Sequence, residues 1–189
     1  MKKKLKIAII YGSTRKKRVG IRFVKFLSNQ VSKNGYLPYV IDPLEDKLPL
    51  LDKRFEDFPN KSVPFSIKSV QKKLNKADAF IIVSAEYNHM PPPALINLLD
   101  YFYNEYDRKP SSICTYSGGD FAGIRVQSPL RAFMTQLGSP PIKYGMFQPK
   151  LSENFDKNGN PKDVRDAEKR FSIFFNELVW YARLLKSKR

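Results

Sequence analysis

The residues best suited to chemistry cluster near the start of the chain, where Ile7 to Gly20 reads IAIIYGSTRKKRVG. An apolar run gives way to Gly12, two hydroxyl residues and four cations, Arg15, Lys16, Lys17 and Arg18. Gly12 permits a tight turn, and Ser13 and Thr14 offer hydroxyl and backbone donors. Arg15 and Arg18 can add charge-assisted bonds, and a helix starting near Val19 and Gly20 would aim its free N–H groups at the same spot. Such a set can cradle a phosphate. Hydrogen bonds to charged groups are worth about 1.5–3 kcal/mol each, so a few would supply much of the roughly 8 kcal/mol of micromolar binding. The same residues also fit a solvated helix start, a nucleic-acid patch or a localisation tag. Two better-known phosphate motifs, G-x-x-x-x-G-K-[ST] and G-x-G-x-x-G, are absent.

Two later stretches carry compatible chemistry. In AEYNHMPPP, Glu86, Tyr87 and Asn88 place backbone amides and an aromatic edge where a flat heterocycle could lie, and the prolines stiffen the backbone before the next helix. A plain proline-stiffened turn is the other reading. In YSGGDFAG, Ser117, Gly118 and Gly119 leave room for a planar ring to approach the backbone, as an ordinary turn would also do. His89 is the one histidine. A general base needs an orienting partner, and a rim position beside Asn88 needs none, so the rim is expected. Lys16 and Lys17 are expected to face solvent. With one cysteine, Cys114, no disulfide can form within the chain and a four-ligand Cys/His zinc site cannot be built. DKNGNPKD resembles a calcium loop only in part: Pro161 stands where glycine is needed, and Ala167 where the last ligand belongs. No metal site is expected.

The elements that must position these loops alternate. LKIAIIY (Leu5–Tyr11) and AFIIVSA (Ala79–Ala85) are apolar on both faces, as strands of a buried parallel sheet are. YLPYVID (Tyr36–Asp42) reads as a strand with Pro38 favouring an edge. SSICTYS (Ser111–Ser117) and IKYGMF (Ile142–Phe147) complete five strands. Helical spacing appears in Gly20–Lys33, Ser66–Asn75, from Pro93 through Phe102, in Arg125–Leu137 with Gly138 as its stop, and in a long stripe from Lys162 to Lys186. The connection Pro43–Pro64 is long enough to be functional or to wrap the surface. This alternation predicts one three-layer α/β domain over residues 1–189. In the strand order 2-1-3-4-5, strands one, three and four are neighbours, so the three loops would line one cleft beyond the strand ends.

Lys+Arg total 34 against 18 Asp+Glu, a net charge of +16, which favours anionic partners without choosing among them. Hydrophobic residues at 42% suit a packed core rather than disorder. The basic start MKKKLKIAIIYGS is a poor signal peptide, no window approaches the about 18 apolar residues of a membrane span, and the expected place is the cytoplasm.

At these residues the chain resembles the NADPH-dependent FMN reductase family, which includes flavodoxin-like quinone reductases and azoreductases. Its phosphate loop, G-S-x-R, is matched by Gly12-Ser13-Thr14-Arg15, and the basic residue and valine of a fungal-type variant by Arg18-Val19. Its P-E-Y-N-x-x-x-P-x-x-L-K-N-x-x-D signature is matched at Glu86, Tyr87, Asn88, Pro92, Leu95, Asn97 and Asp100, with Ala85, Met90 and Ile96 as departures. Ser117 through Gly123, then Arg125, Leu130, Arg131, Leu137 and Gly138, are similar to the family's next loop and helix. The resemblance implies a flavodoxin-like three-layer sandwich and FMN held by Ser13, Arg15, Arg18, Val19, Gly20, Glu86, Tyr87, Asn88, Ser117, Gly118 and Gly119. It implies NADPH or NADH as co-substrate and ping-pong hydride transfer to a quinone, azo compound, metal oxyanion or flavin. No side-chain catalyst is implied, because the cofactor carries the chemistry. A homodimer or tetramer is implied too, with Leu95, Leu99, Phe102 and Tyr103 divided between interface and core. A flavodoxin-like electron carrier or an FMN-binding regulatory protein shares the fold. Nucleic acid is not the expected partner, since charge alone supports it.

Overall fold

The computed structural model describes residues 4–59 and 62–189. Residues 1–3 of the basic start and two positions of the Pro43–Pro64 connection lie outside the described residues. The elements run β1 (Lys6–Tyr11), α1 (Ile21–Lys33), β2 (Leu37–Ile41), α2 (Phe65–Lys76), β3 (Ala79–Ala85), α3 (Pro93–Asp100), β4 (Ser111–Tyr116), α4 (Gln127–Gln136), β5 (Phe147–Gln148), α5 (Leu151–Asn154) and α6 (Val164–Lys186). The strands form one parallel sheet in the order β2-β1-β3-β4-β5.

The period-2 alternation of a strand decides the layers. Ile7, Ile9 and Tyr11 of β1, with Ile81 and Val83 of β3, face a core closed by Phe23, Phe26 and Leu27 of α1 and Phe171, Phe174 and Leu178 of α6. Ala8, Ile10, Phe80 and Ile82 face the opposite core, closed by Val70 and Leu74 of α2, Leu95 and Leu98 of α3, and Leu130 and Met134 of α4. Both faces of β1 and β3 are covered, which is why their sequences are continuously apolar. Pro38 sits in β2, the edge strand. The long stripe near the C-terminus packs inward, and Asp163 caps α6 by accepting the Asp166 N–H at 2.9 Å.

The last strand differs from expectation. Ile142–Phe147 was expected, and only Phe147–Gln148 pairs with β4 as a strand. Pro140 and Pro141 bring no N–H to a ladder. The next carbonyls are taken by side chains: Arg131 donates to Ile142 O at 2.8 Å and to Pro141 O at 3.2 Å, and the Ser112 hydroxyl donates to Tyr144 O at 3.0 Å. Gly145 passes tightly against β4 before pairing resumes. The proposed interface stripe also divides: Leu95, Leu99 and Phe102 are core residues, and only Tyr103 is exposed.

The Pro43–Pro64 connection wraps the second core with Leu48, Leu51, Phe55 and Phe58. Asn97 pins it, donating from Nδ2 to Pro49 O and accepting the Leu51 N–H, both at 2.8 Å. At the far end of the sheet, Asp78 (7% exposed) accepts the Lys6 N–H and the Lys186 ammonium, each at 2.9 Å, with Arg189 at 3.7 Å. Beside it, Lys109 donates to the last carbonyls of α2, Leu74 O at 2.9 Å and Asn75 O at 3.3 Å.

Cys114 is fully buried, and burial pushes its thiol up to about 12 from an ordinary 9.0. Since the thiolate is the reacting form, a thiol reagent at pH 8 is expected to label nothing in the native protein and one equivalent in denaturant. Prompt native labelling would show the strand opening.

Candidate functional site

The carboxyl ends of β1, β3 and β4 stand side by side, and the loops that follow them are bonded into one rim. After β1, the Gly12 N–H donates to Val83 O of β3 at 3.1 Å. A Cβ at Gly12 would come within 2.7 Å of Leu95 Cβ, so glycine lets α3 approach this closely. Ser13 is 2% exposed, and its hydroxyl pairs with the Tyr87 hydroxyl at 3.0 Å, joining the first loop to the third-strand loop. Thr14 to Lys17 are exposed. Among the described residues, the N–H groups of Ser13 to Lys17 donate to no other backbone carbonyl. Amides left unbonded beside cations suit an anion. The Arg15 guanidinium lies 5.6 Å from the centroid of the Tyr87 ring.

Arg18 and Gly20 take positions of another kind. The Arg18 guanidinium turns inward to Asp42 at 2.5 Å, Ser13 O at 2.9 Å and Glu45 at 3.1 Å. Burial opposes its charge, and Asp42 more than offsets that, so its pKa is raised. Asp42 and Glu45 were missed in the sequence. The available signal was the position of Asp42 at the end of the strand beside β1. Gly20 caps α1 under two tyrosines; a Cβ there would meet the Tyr116 hydroxyl at 2.1 Å and the Tyr11 hydroxyl at 2.7 Å. Those hydroxyls are 3.3 Å apart, and burial raises the pKa of both, so both remain protonated donors at neutral pH. Val19 is half-buried against the core between these residues.

The third-strand loop folds into a tight reversal. Tyr87 N–H donates to Met90 O at 2.9 Å, and Met90 N–H donates back to Tyr87 O at 3.0 Å. The two residues between, Asn88 and His89, have φ of +52° and +66°. This is the two-residue hairpin tip that favours residues tolerant of φ > 0. It leaves Asn88 and His89 exposed on the rim. Glu86 faces the next loop: its carboxylate accepts the Arg125 N–H at 3.2 Å and the Arg125 guanidinium at 3.0 Å. Arg125 in turn lies 4.7 Å from the ring centroid of the exposed Phe121.

In the fourth-strand loop, Ser117 O accepts the Leu151 N–H at 3.0 Å and Gly119 O accepts the Lys150 N–H at 2.9 Å. A Cβ at Gly118 or Gly119 would meet nothing within 4 Å, and neither has a φ in the left-handed region. Nothing in the chain's own packing requires glycine there, whereas a flat group laid on the loop would. The rim thus offers free amides and Arg15 at one end and a bare Gly-Gly surface at the other, with Tyr87 between. A cavity of about 720 Å³ beside Lys4, Tyr36 and Arg183 lies at the amino ends of β1 and β2 and contains none of these loops. We weigh the rim more heavily because its loops converge by direct bonds at the strand ends where open sheets bind ligands.

A five-stranded parallel sheet in this order, with its cleft at the strand ends, defines a flavodoxin-like α/β protein. The flavoenzyme NAD(P)H:(acceptor) oxidoreductase FerB of Paracoccus denitrificans shares this fold, with a TM-score of 0.78 over 95% of this chain and 98% of that one at 18% identity. The family model for NADPH-dependent FMN reductase matches residues 5–150, and the chain belongs to that family and is an oxidoreductase. The NAD(P)H-dependent FMN reductase LOT6 of Saccharomyces cerevisiae is 29% identical over 131 residues, spanning 60% of this chain and 66% of that protein. A quinone reductase of Escherichia coli is 27% identical over 164 residues, spanning 80% of this chain and 83% of that protein. Among the described residues, no helix is long and apolar enough to cross a membrane.

Proposed function

We propose that residues 1–189 act as one FMN-binding domain, an NAD(P)H oxidoreductase that delivers electrons to a quinone, with azo compounds, metal oxyanions or free flavin as further acceptors. The observation that carries this reading is the pairing of unbonded amides at Ser13 to Lys17 with a Gly118-Gly119 surface that the fold itself does not need. FMN, once bound, supplies hydride acceptance from NADPH or NADH and electron release to the acceptor.

The chain's own residues bind and orient. Ser13, Thr14 and Arg15 hold the phosphate through amides, hydroxyls and one guanidinium. Val19 and Gly20 start α1 behind it, its N–H end toward the anion. Tyr87 and Asn88 present the third-strand loop to the ring, and Glu86 fixes the spacing of the loops through Arg125. Ser117, Gly118 and Gly119 support the ring plane. One open cleft serves the nicotinamide donor and the acceptor in turn. Assembly into a homodimer or tetramer belongs to the same reading. The exposed apolar side chains beside the cleft, Met90, Phe121 and Ile124, offer surface for it.

Purified protein is expected to be yellow or to take up added FMN, and mixing with NADPH should bleach the flavin absorbance directly. A one-electron carrier would not be reduced this way. Arg15→Ala should weaken FMN at least about tenfold, the equivalent of roughly one charge-assisted bond. Gly118→Val should weaken FMN while leaving the melting temperature within about 2 °C, since its Cβ enters open space. A protein that stays colourless with excess FMN sinks the proposal.

A further inference from the structure

Arg18 stands in the middle of the proposed phosphate loop, yet its guanidinium is enclosed by protein. Its side chain is 10% exposed. One face lies 5.2 Å from the centroid of the Tyr11 ring, and its nitrogens reach Asp42 at 2.5 Å, Ser13 O at 2.9 Å and Glu45 at 3.1 Å. Asp42 is itself fixed. Its side chain is 5% exposed and Oδ1 also accepts the Leu44 N–H at 3.1 Å. The Asp42 N–H donates to Asp46 at 3.0 Å, and Asp46 accepts the Lys73 ammonium at 2.6 Å. A chain of bonds therefore runs from Lys73 on α2 through Asp46, Asp42 and Arg18 to the Ser13 carbonyl. Guanidinium recognition of this forked kind cannot be copied by lysine, which is a point charge on a flexible stem.

The end of that chain has a geometric consequence. In a planar trans peptide, C=O and N–H point in opposite directions. Arg18 draws the Ser13 carbonyl inward, so the Thr14 N–H of the same peptide must point outward, to the exposed side of the loop. Two carboxylates face the Arg18 charge, which leaves it a poor candidate to meet a phosphate directly.

We propose that Arg18 and Asp42 are positioning residues that lock the Ser13–Thr14 peptide with its N–H aimed at the cofactor phosphate, and that Arg18 does not itself ligate that phosphate. This rests on the FMN reading above. It reverses the role that spacing gave Arg18, and it adds Asp42, just after the edge strand, to the residues that govern cofactor affinity.

Two ligands separate the readings: FMN, and riboflavin, which lacks the phosphate. Full-length wild type, Asp42→Asn and Arg18→Lys, freed of flavin, are titrated with each by flavin fluorescence. Both variants should lower the ratio of riboflavin Kd to FMN Kd about tenfold or more, close to the loss of one well-aimed bond to a charged group. Riboflavin affinity should stay near wild type, while the melting temperature falls, because a buried ion pair loses one of its partners. Asn at position 42 can still accept the Leu44 N–H, so the strand end keeps its turn. If Arg18 were a phosphate ligand, freeing it from Asp42 would leave the ratio unchanged or raise it in Asp42→Asn, and that result overturns the proposal. Equal weakening of FMN and riboflavin would mean a general structural role and would also overturn it. Failure of wild type to bind either ligand would instead remove the FMN reading on which it stands.

Discussion

Gly145→Ala is expected to lower stability by about 3 kcal/mol, a fall in melting temperature of about 6–12 °C for a chain of this size. A Cβ at Gly145 would come within 1.9 Å of Ile113 O and 3.0 Å of Ile113 C. Those are backbone atoms of β4, a strand paired on both sides, so no side chain can swing away to make room. Ile113 O also accepts the Gln127 amide at 2.8 Å, which ties α4 to the same point. Gly118→Ala is the matched control, since its Cβ meets nothing within 4 Å. Thermal unfolding followed by circular dichroism compares the two. A Gly145→Ala melting temperature within about 2 °C of wild type would mean that the segment before β5 can lift off the sheet.

Asp78→Ala should cost about 2–3 kcal/mol, because it strips a charged acceptor from a part-buried N–H and leaves two cations without their partner. Asp78 gathers Lys6 at the start of β1, Lys186 at the end of α6 and Arg189 just beyond it, so one carboxylate fastens the first strand to the last helix. Lys186 is 37% exposed, and solvent screens its share, so most of the loss should come from the Lys6 N–H. Lys186→Ala should then destabilise far less than Asp78→Ala in urea unfolding. Equal effects would assign the energy to the ion pair instead.

Much of the fold was legible because each strand that matters is buried on both faces. Continuous apolar runs such as IAIIY and FIIVS suit only strands covered on both faces, so their loops could be placed at once beyond the strand ends. β5 was not legible. Its apolar residues predict a strand, but whether a segment joins a ladder depends on which carbonyls Arg131 and Ser112 claim first, and those contacts are remote in sequence. The same holds within the candidate site. Ser13, Tyr87 and the Gly-Gly pair could be read from type and position. The inward turn of Arg18 could not, because its partners Asp42 and Glu45 belong to a neighbouring loop, and the run of four cations looks uniform until one of them is neutralised.

Lys109 gives the molecule an unusual response to alkali. Burial, and then the charge of Arg189, lower its pKa from 10.5 to about 8. Between those values the unfolded chain holds a proton that the folded chain has given up, so this residue's contribution to stability rises as pH climbs through that window. Cys114 works the other way from 9.0 to about 12, the unfolded thiol releasing its proton first, so stability is lost there as pH rises. Lys109 therefore acts unopposed by the thiol only between about pH 8 and 9. A mildly alkaline buffer is the storage medium that this buried amine favours.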